Sequence, residues 1–300
     1  MPLFFPRLSA FFQKLSSWLL NLLFGACCLA LLYFLLQLFC FTSFKIPSYS
    51  MMPTLIDGDR ILVNKLTMGA RLFNVFAALR GEQVAIHRMP GCGSLKRGDV
   101  VVFNFPYGSI SWDSIRMDVM QYYVKRCIAL PGDTVEIRGG YYHVRGYSGP
   151  LGNKAAQAFI AGLHRQPNLP SGVIPITFPN DGRGWNIWTF GPLPVPRAGQ
   201  VVQIDSLTYP LYRQLIGWEQ KRRLRWIAGR ALLGDSLITR YRFTKNYYFV
   251  SGDNTAYSQD SRYWGMLPEE YIVGKVTCVW YSEERDTHQV RWDRLMKKVR

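Results

Sequence analysis

A stretch of 24 residues without a single charge, from Trp18 to Phe41, constrains the fold more than any other feature of the chain. Its only strongly polar side chains are Asn21 and Gln37. At a helical rise of ~1.5 Å per residue the stretch is roughly 36 Å long, enough to cross the ~30 Å hydrocarbon core of a bilayer. A cleaved signal peptide has an apolar core of only ~7–15 residues followed by small residues, whereas this stretch ends in Phe39-Cys40-Phe41. We therefore predict one transmembrane helix here.

Positive charges indicate which way this helix would lie in a membrane. Arg7 and Lys14 precede it, and basic residues beside a span favour the cytoplasmic side. Lys45, just after the stretch, argues weakly for the opposite orientation, but large domains cross membranes largely regardless of their charge. We expect a short cytoplasmic tail (residues 1–17), a transmembrane helix (18–41) and an extracytoplasmic catalytic or binding domain (42–300).

The part after the helix is typical of short strands separated by turns. Runs of β-branched and aromatic residues follow Gly-Asp turns at 58–59 and 98–99, and Pro-Gly-Asp at 131–133 ends another run. This pattern favours a mainly β fold built on an antiparallel sheet. The predicted strands cover residues 60–64, 100–105, 122–130, 134–138, 247–251 and 271–280.

Residues from about 140 to 245 have a different composition, rich in Pro and Gly as far as residue 199. We interpret this region as an insertion within the β fold. Within it, Pro210 to Leu233 predicts a basic amphipathic helix that carries Trp218 and Trp226. Such a helix would either rest on a membrane surface or pack on its own domain with a solvated basic face.

The formal net charge of +16 suits an anionic surface such as phospholipid headgroups or nucleic acid, and equally a set of solvated faces. No RNA-binding signature, zinc-finger spacing or helix-turn-helix pattern is present, so we expect no nucleic-acid partner. No Cys-x-x-Cys occurs and the four histidines are scattered, so neither a metal nor another cofactor is expected. A disulfide between two of three downstream cysteines is left open: Cys92, Cys127 and Cys278.

Two polar residues after the apolar stretch are candidates for chemistry. Ser50 lies near two prolines, but a serine hydroxyl is a poor nucleophile unless a base is close. No histidine has a persuasive context, so a histidine-containing triad fits poorly. Lys125 would share one face of its predicted strand with Tyr123 and Cys127, while Arg126 would face the other side. Apolar neighbours disfavour the charged form of a lysine and so lower its pKa toward that of a useful base.

Together with a polar segment near residue 255, these stretches resemble the bacterial type I signal peptidases, membrane-bound serine proteases with a Ser–Lys dyad. The family's sequence boxes occur in family order after a span, and the resemblance covers roughly residues 42–138 and 246–281 plus the anchor. The boxes are Ser-Met-x-Pro-Thr-Leu at 50–55, Gly-Asp-Val-Val-x-Phe at 98–103, Lys-Arg-x-x-x-x-Pro-Gly-Asp at 125–133, Gly-Asp-Asn at 252–254 and Ser-x-Asp-Ser-Arg at 258–262.

The resemblance implies a membrane-anchored endopeptidase of the bacterial inner membrane that cleaves N-terminal signal peptides from exported proteins. Ser50 would be the nucleophile and Lys125 the general base of an acyl-enzyme mechanism. The hydroxyl of Ser48 and the backbone N–H of Ser50 would form the oxyanion hole. Substrates would carry small residues, often Ala-x-Ala, before the cut, and the partners would be exported proteins and membrane phospholipid.

Four further residues match supporting positions of the family. Ser258 would hydrogen-bond and orient the lysine, Asp260 and Arg262 would form an ion pair, and Gly252 belongs to the same packed box. Many relatives have Arg-Asp-Asn where this chain has Thr255-Ala256-Tyr257, which puts one supporting charge interaction in doubt.

Two alternatives stay open beside general signal-peptide processing. The insertion and the altered segment before Ser258 leave room for a Ser–Lys peptidase specialised for a single pilus or conjugation substrate. A non-enzymatic, membrane-tethered module that binds anionic lipid or a partner through its basic insertion is the other alternative. It requires that the ordered sequence boxes be a coincidence.

Overall fold

A computed structural model of the chain describes residues 5–80, 82, 84–108, 112–116 and 118–299, with side chains from residue 13 onward. The helices of these ranges are α1 (Phe5–Phe39), α2 (Val75–Leu79), α3 (Lys154–Leu163), α4 (Tyr209–Gln220) and α5 (Ser261–Trp264). The strands are β1 (Phe41–Lys45), β2 (Asp59–Asn64), β3 (Arg71–Leu72), β4 (His87–Arg88), β5 (Val100–Asn104), β6 (Tyr122–Ala129), β7 (Thr134–Arg138), β8 (Tyr141–Val144), β9 (Thr189–Pro194), β10 (Val201–Gln203), β11 (Leu224–Ile227), β12 (Arg230–Leu233), β13 (Ser236–Ile238), β14 (Arg240–Arg242), β15 (Tyr247–Ser251), β16 (Leu267–Pro268), β17 (Ile272–Ser282) and β18 (Lys297–Lys298).

The apolar stretch forms α1, and its part from Gln13 to Phe39 is long and apolar enough to cross a membrane, with none of that window buried. The helix extends back through the predicted tail as far as Phe5, and residues 1–4 lie outside the described residues. It ends two residues before the predicted end of the span. The reason is that Phe41 already pairs with Asn64 as the first residue of β1, so the sheet takes over its backbone hydrogen bonds.

An antiparallel sheet of eight strands forms the centre of the domain, in the order β1-β2-β17-β5-β6-β15-β16, with β18 paired to β17. The predicted antiparallel β fold behind an N-terminal apolar helix is therefore confirmed. Each of the predicted strands is present, with ends that differ by at most two residues. The cysteines for which a disulfide was left open are free thiols: Cys92, Cys127 and Cys278.

Strand β5 separates two hydrophobic cores, which explains its continuous apolar sequence. Val101 and Phe103 belong to the larger core, whereas Val100 and Val102 belong to the smaller core. A strand that is buried on both faces favours apolar side chains, and the one polar residue of β5, Asn104 at its end, accepts from Arg71 Nη2 and donates to the carbonyl of Asp118. The smaller core also contains buried side chains of β2, β17 and the segment after β1: Ile46, Met51, Leu55, Ile61, Val63, Val273, Val276 and Val279.

The sheet curls so that its edge strand β1 approaches β6, although three strands separate them in the sheet order. The rings of Phe44 on β1 and Tyr122 on β6 lie with centroids 4.8 Å apart. Strand β6 pairs with β5 from Tyr122 to Arg126, but its pairing with β15 covers only Arg126 to Ala129. The first half of β6 therefore has an open edge on the side that faces β1.

The predicted insertion lies within a longer region, from β7 to β14, that leaves the central sheet after β6 and returns to it at β15. It contains β8-β7-β9 as one small sheet, β11-β12-β13 as another, and the β10–β14 ribbon. Strand β7, which precedes the predicted start of the insertion, pairs with β8 and β9 rather than with the central sheet. The region is not an independent unit, because its apolar side chains join the larger core, among them Val135, Ile137, Phe190, Leu193, Leu211, Tyr212, Leu215 and Ile216.

The predicted helix from Pro210 to Leu233 is wrong in its second half. Helix α4 ends at Gln220, and Lys221 has a left-handed backbone with φ of 51°. The chain then turns into the β11–β12 hairpin, whose two-residue turn, Ala228-Gly229, has positive φ at both positions, as tight hairpins require. Helix α4 buries four apolar side chains in the larger core, so it packs on its own domain.

A buried ion pair joins three distant parts of the chain beside β6. Arg126 donates from Nε to Asp253 Oδ1 at 2.6 Å and from Nη2 to Asp253 Oδ2 at 2.5 Å. Thr54 Oγ1 donates to the same carboxylate at 2.5 Å, and Arg126 Nη1 donates to the carbonyl of Gly98 at 2.6 Å. Because Asp253 is 1% exposed and Arg126 7% exposed, solvent scarcely screens the pair. It fixes the segment that contains Ser50 against the sheet.

We expect Asp253→Ala to lower the free energy of unfolding by about 3–5 kcal/mol, because it leaves the buried Arg126 charge without its carboxylate. Urea unfolding of the full chain in detergent micelles, followed by tryptophan fluorescence, measures the change. Asp235→Ala is the matched control, since it removes an exposed ion pair with Arg225 and should leave stability nearly unchanged. Equal effects of the two substitutions would contradict the importance of the buried pair.

Candidate active site

Ser50 lies on a turn between β1 and β2 that is fixed from two sides. Met51 and Leu55, on the same turn, are fully buried in the smaller core. On the other side, the backbone N–H of Asn254 donates to the carbonyl of Ser50 at 3.0 Å, and the Asn254 side chain donates to the carbonyl of Tyr49 at 3.2 Å. The half-buried Ser50 side chain is thereby held in a defined position.

Lys125 lies on β6 with its amine beside the Ser50 hydroxyl. Its side chain is 2% exposed, and Nζ donates to Ser50 Oγ at 2.7 Å and to the carbonyl of Val124 at 3.1 Å. Alternation along the strand places Tyr123 and Cys127 against the larger core and Val124 against the smaller one, as the sequence predicts. The lysine thus shares a face with Tyr123 and Cys127, and Arg126 faces the other side.

Burial lowers the pKa of Lys125 to about 8, because an ammonium group loses much of its hydration in this position. The negative charge of Asp260 acts in the opposite direction, and the positive charge of Arg262 adds to the lowering. At this pKa roughly a tenth of Lys125 is neutral at pH 7, and a neutral amine accepts a proton from a neighbouring hydroxyl.

The predicted ion pair between Asp260 and Arg262 is formed, and both residues are buried. Arg262 Nε donates to Asp260 Oδ1 at 2.8 Å, and Nη2 donates to Oδ2 at 2.9 Å. Burial acts to raise the pKa of Asp260, but the Arg262 charge together with hydrogen bonds from Arg262 and from the Gly252 N–H outweighs it, so the net pKa is lowered and the carboxylate stays ionised. Asp260 also accepts from the backbone N–H of Gly252 at 3.0 Å, which connects the pair to the Gly-Asp-Asn box.

Gly252 occupies a position with no room for a side chain. A Cβ atom there would lie 2.2 Å from Ser258 Oγ and 2.5 Å from the carbonyl oxygen of Ser50. Both separations are well inside van der Waals contact, so any larger residue would push the Ser50 turn away from the box. The supporting position predicted for Gly252 thus corresponds to a close approach of backbone segments.

Ser258 lies in the same box but does not make the predicted hydrogen bond to Lys125. Its hydroxyl is buried and has no hydrogen-bond partner among the residues that the structure describes. The lysine amine instead donates to Ser50 and to the carbonyl of Val124. The predicted hydrogen bond between Ser258 and Lys125 is therefore not formed. The orienting role of Ser258 stays a prediction.

The segment Thr255–Tyr257, which departs from the family pattern, forms a short 3₁₀ helix held through its backbone. Arg262 Nη2 donates to the carbonyl of Thr255 at 2.6 Å and to that of Ser258 at 3.3 Å. Ala256 packs in a small cluster with Ile160 and Val173. The groups that accept these bonds are backbone carbonyls. The position of the segment therefore does not require the side chains that many relatives have at 255–257.

A groove of about 630 Å³ leads to Ser50 and Lys125 between β1 and the open edge of β6. Ser48, the predicted oxyanion-hole residue, is exposed and lines the groove together with Ser50. The groove is mostly apolar away from the two reactive groups. Its walls are formed by residues 44–48, Ser50, Met51, Val102, residues 120–125 and Gln259.

Sequence reasoning assigned no role to Arg126, Asp253 or Tyr142, which hold the site together. Arg126 and Asp253 stand directly beside predicted site residues, in the Lys-Arg and Gly-Asp pairs of the boxes, and this adjacency was the available signal. Tyr142 comes from the insertion, where no pattern marks it. Its hydroxyl lies 2.6 Å from Ser251 Oγ, which in turn donates to Asp260 at 3.0 Å.

Known proteins similar to this chain agree with the sequence boxes. Signal peptidase I of Pseudomonas aeruginosa is 29% identical over 285 residues, which cover 91% of this chain and 77% of that protein. Signal peptidase I of Helicobacter pylori is 28% identical over 278 residues, with 86% and 85% covered. That of Buchnera aphidicola is 26% identical over 267 residues, with 85% and 73% covered. A solved signal peptidase I from Enterococcus faecalis has 20% identity and a TM-score of 0.29, with 61% of this chain and 97% of that chain covered.

A model of a protein family matches most of this chain and shows to which family it belongs. The model described as signal peptidase, peptidase S26, matches residues 16–167 and 215–281, more than half of the chain. The match includes Ser50, Lys125 and the box around Asp260, and part of the predicted insertion as well; residues 168–214 lie outside it. The chain therefore belongs to the signal peptidase family, peptidase S26.

Proposed function

We propose that the chain is a membrane-anchored serine endopeptidase that removes N-terminal signal peptides from exported proteins with Ser50 and Lys125 as a catalytic dyad. The observation that carries the proposal is the 2.7 Å separation between Ser50 Oγ and Lys125 Nζ, within general-base reach. The lowered pKa of the lysine supports it, since a neutral amine is required to accept the serine proton.

In the acylation step, neutral Lys125 takes the proton of Ser50 as Oγ attacks the carbonyl carbon before the cut. The developing oxyanion receives hydrogen bonds from the Ser50 backbone N–H and the Ser48 hydroxyl. Lys125 then gives its proton to the leaving amine, and the C–N bond breaks. In deacylation the neutral lysine takes a proton from water as the water oxygen attacks the ester carbonyl carbon. Lys125 then returns the proton to Ser50 Oγ as the C–O bond to the serine breaks.

The groove favours an extended peptide with small side chains. The open edges of β1 and of the first half of β6 offer unpaired backbone groups on either side, so a peptide in the groove adds as a strand. Alternate side chains of such a strand point to the same wall. The residues one and three positions before the cut then meet the apolar walls near Phe44 and Val124.

The position of the anchor suits this substrate. Helix α1 leads directly into β1, which forms one wall of the groove, so the reactive groups lie close to the membrane surface. Arg7 and Lys14 support a cytoplasmic N-terminus and an extracytoplasmic catalytic domain. The net charge of +16 supports contact with anionic phospholipid headgroups.

We expect purified Ser50→Ala and Lys125→Ala each to lose nearly all cleavage of a precursor with a signal peptide, because each removes one half of the dyad. The measurement is the release of mature protein by the detergent-solubilised full chain, tested on several unrelated precursors. Ser43→Ala, a serine on β1 outside the groove walls, is the control and should retain activity. Substantial cleavage by Ser50→Ala would refute the dyad, and cleavage of one precursor alone would favour the specialised peptidase.

The pH dependence of kcat/KM follows from the lowered pKa of Lys125. The base must be neutral, so activity should rise with pH as Lys125 loses its proton near pH 8 and should level off above that value. A precursor peptide without ionisable residues near the cut isolates this titration from that of the substrate. A rise that begins only near the ordinary lysine pKa of about 10.4 would contradict the burial effect.

We expect replacement of Ala by Phe immediately before the cut to lower kcat/KM by at least about tenfold, because the large ring meets the groove wall. The same replacement two residues before the cut is the matched control, since that side chain points away from the wall and should have a small effect. Equal rates for the Ala and Phe peptides at the first position would rule out the small-residue preference.

A further inference from the structure

A second cleft, of about 350 Å³, adjoins the groove of the proposed active site. Gln259 lines both, and it directly follows Ser258 in the box that contacts the Ser50 turn. The cleft is lined mainly by apolar and aromatic side chains, including Trp112, Ile174, Ile176, Phe178 and Tyr263. The proposed mechanism assigns it no role.

One wall of the cleft, residues 174–180, comes from the part of the chain that the family model does not match. This wall is nevertheless attached firmly to the catalytic box. The backbone N–H of Phe178 donates to the carbonyl of Arg262 at 2.7 Å, and the Tyr263 hydroxyl donates to the carbonyl of Ile174 at 3.0 Å. The cleft is thus held in place beside the catalytic box, and one of its walls lies outside the family match.

The chemistry of the cleft suits a peptide that carries a bulky apolar side chain. Ile174 and Ile176 are 49% and 57% exposed, so covering them removes apolar surface from water. Phe178 and Tyr263 add aromatic surface to the same cleft.

The direction of the substrate indicates which part of it would reach the cleft. A signal peptide's apolar segment lies before the cut and stays near the membrane, so it leaves the groove at the Phe44 end, since Phe44 is the groove-lining residue nearest to α1 along the chain. Residues after the cut therefore continue past Ser50 and Lys125 in the other direction. Gln259 lies next to these residues and opens onto the second cleft.

We propose that this cleft binds a bulky apolar side chain within the first few residues after the cut, and so selects substrates by the beginning of the mature protein. The inference rests on the proposed function and extends it. It assigns a specificity role to Ile174 and Ile176, whose segment lies outside the family match.

Cleavage kinetics test the inference with the full chain in detergent. The substrates are precursor peptides with Ala-x-Ala before the cut and serines after it, with one Leu moved through the first six positions after the cut. We expect Leu at one or two positions to raise kcat/KM about tenfold over the all-serine peptide. The double variant Ile174→Ser/Ile176→Ser should lose this gain and cleave the all-serine peptide at the wild-type rate.

The matched control is Ile227→Ser/Leu237→Ser, which removes two equally exposed apolar side chains (47% and 54%) on β11 and β13, and it should keep the gain. Cleavage of the all-serine peptide tests the proposed function separately. If that peptide is cleaved but no position of Leu raises the rate, or if the gain survives in Ile174→Ser/Ile176→Ser, the inference is overturned.

Crosslinking tests binding independently of turnover. Full-length Ser50→Ala is irradiated with peptides that carry benzoylphenylalanine at single positions after the cut, and the attachment sites are mapped by mass spectrometry. Attachment to residues 174–180 or Tyr263 from one of these positions is the expected result. Attachment confined to other surfaces would overturn the inference even if the wild-type protein cleaves its substrates.

Discussion

The buried pair between Arg126 and Asp253 is the interaction on which the rest of the site depends. It connects β6 to the Gly-Asp-Asn box, and Thr54 joins the same carboxylate from the Ser50 turn. A buried ion pair is strongly unfavourable to break, because it leaves an uncompensated charge without water. The three segments are therefore fixed relative to one another before any reactive group is considered.

Because side chains alternate along β6, the buried pair of Arg126 and Asp253 also determines on which side of the strand Lys125 lies. Arg126 is held by Asp253 on one face, so Lys125 is directed to the opposite face, toward Ser50. On that face the lysine is buried against aromatic and apolar neighbours, and its pKa falls for that reason. The charges of Asp260 and Asp253 oppose this lowering, and that of Arg262 adds to it. The position of the Lys125 amine and its lowered pKa thus both follow from where Lys125 lies on β6.

The sequence predictions succeeded where local patterns decide the outcome and failed where packing does. Turn residues and β-branched runs identify the central strands to within two residues, since both signals are local. The helix predicted from Pro210 to Leu233 failed in its second half, because the Ala228-Gly229 turn and the larger core favour a hairpin there. The expected contact between Ser258 and Lys125 failed because sequence spacing does not give side-chain directions within a packed loop.

By itself, the sequence determined the apolar helix, the antiparallel β class, and Ser50 and Lys125 as the candidate pair, because these follow from composition, periodicity and the order of the boxes. Only the tertiary structure brought the two reactive atoms to 2.7 Å across 75 positions of chain and lowered the pKa of the lysine. It alone also placed residues 174–180 beside the groove. Distances and burial depend on how the sheet curls and which segments pack together, and no local pattern encodes them.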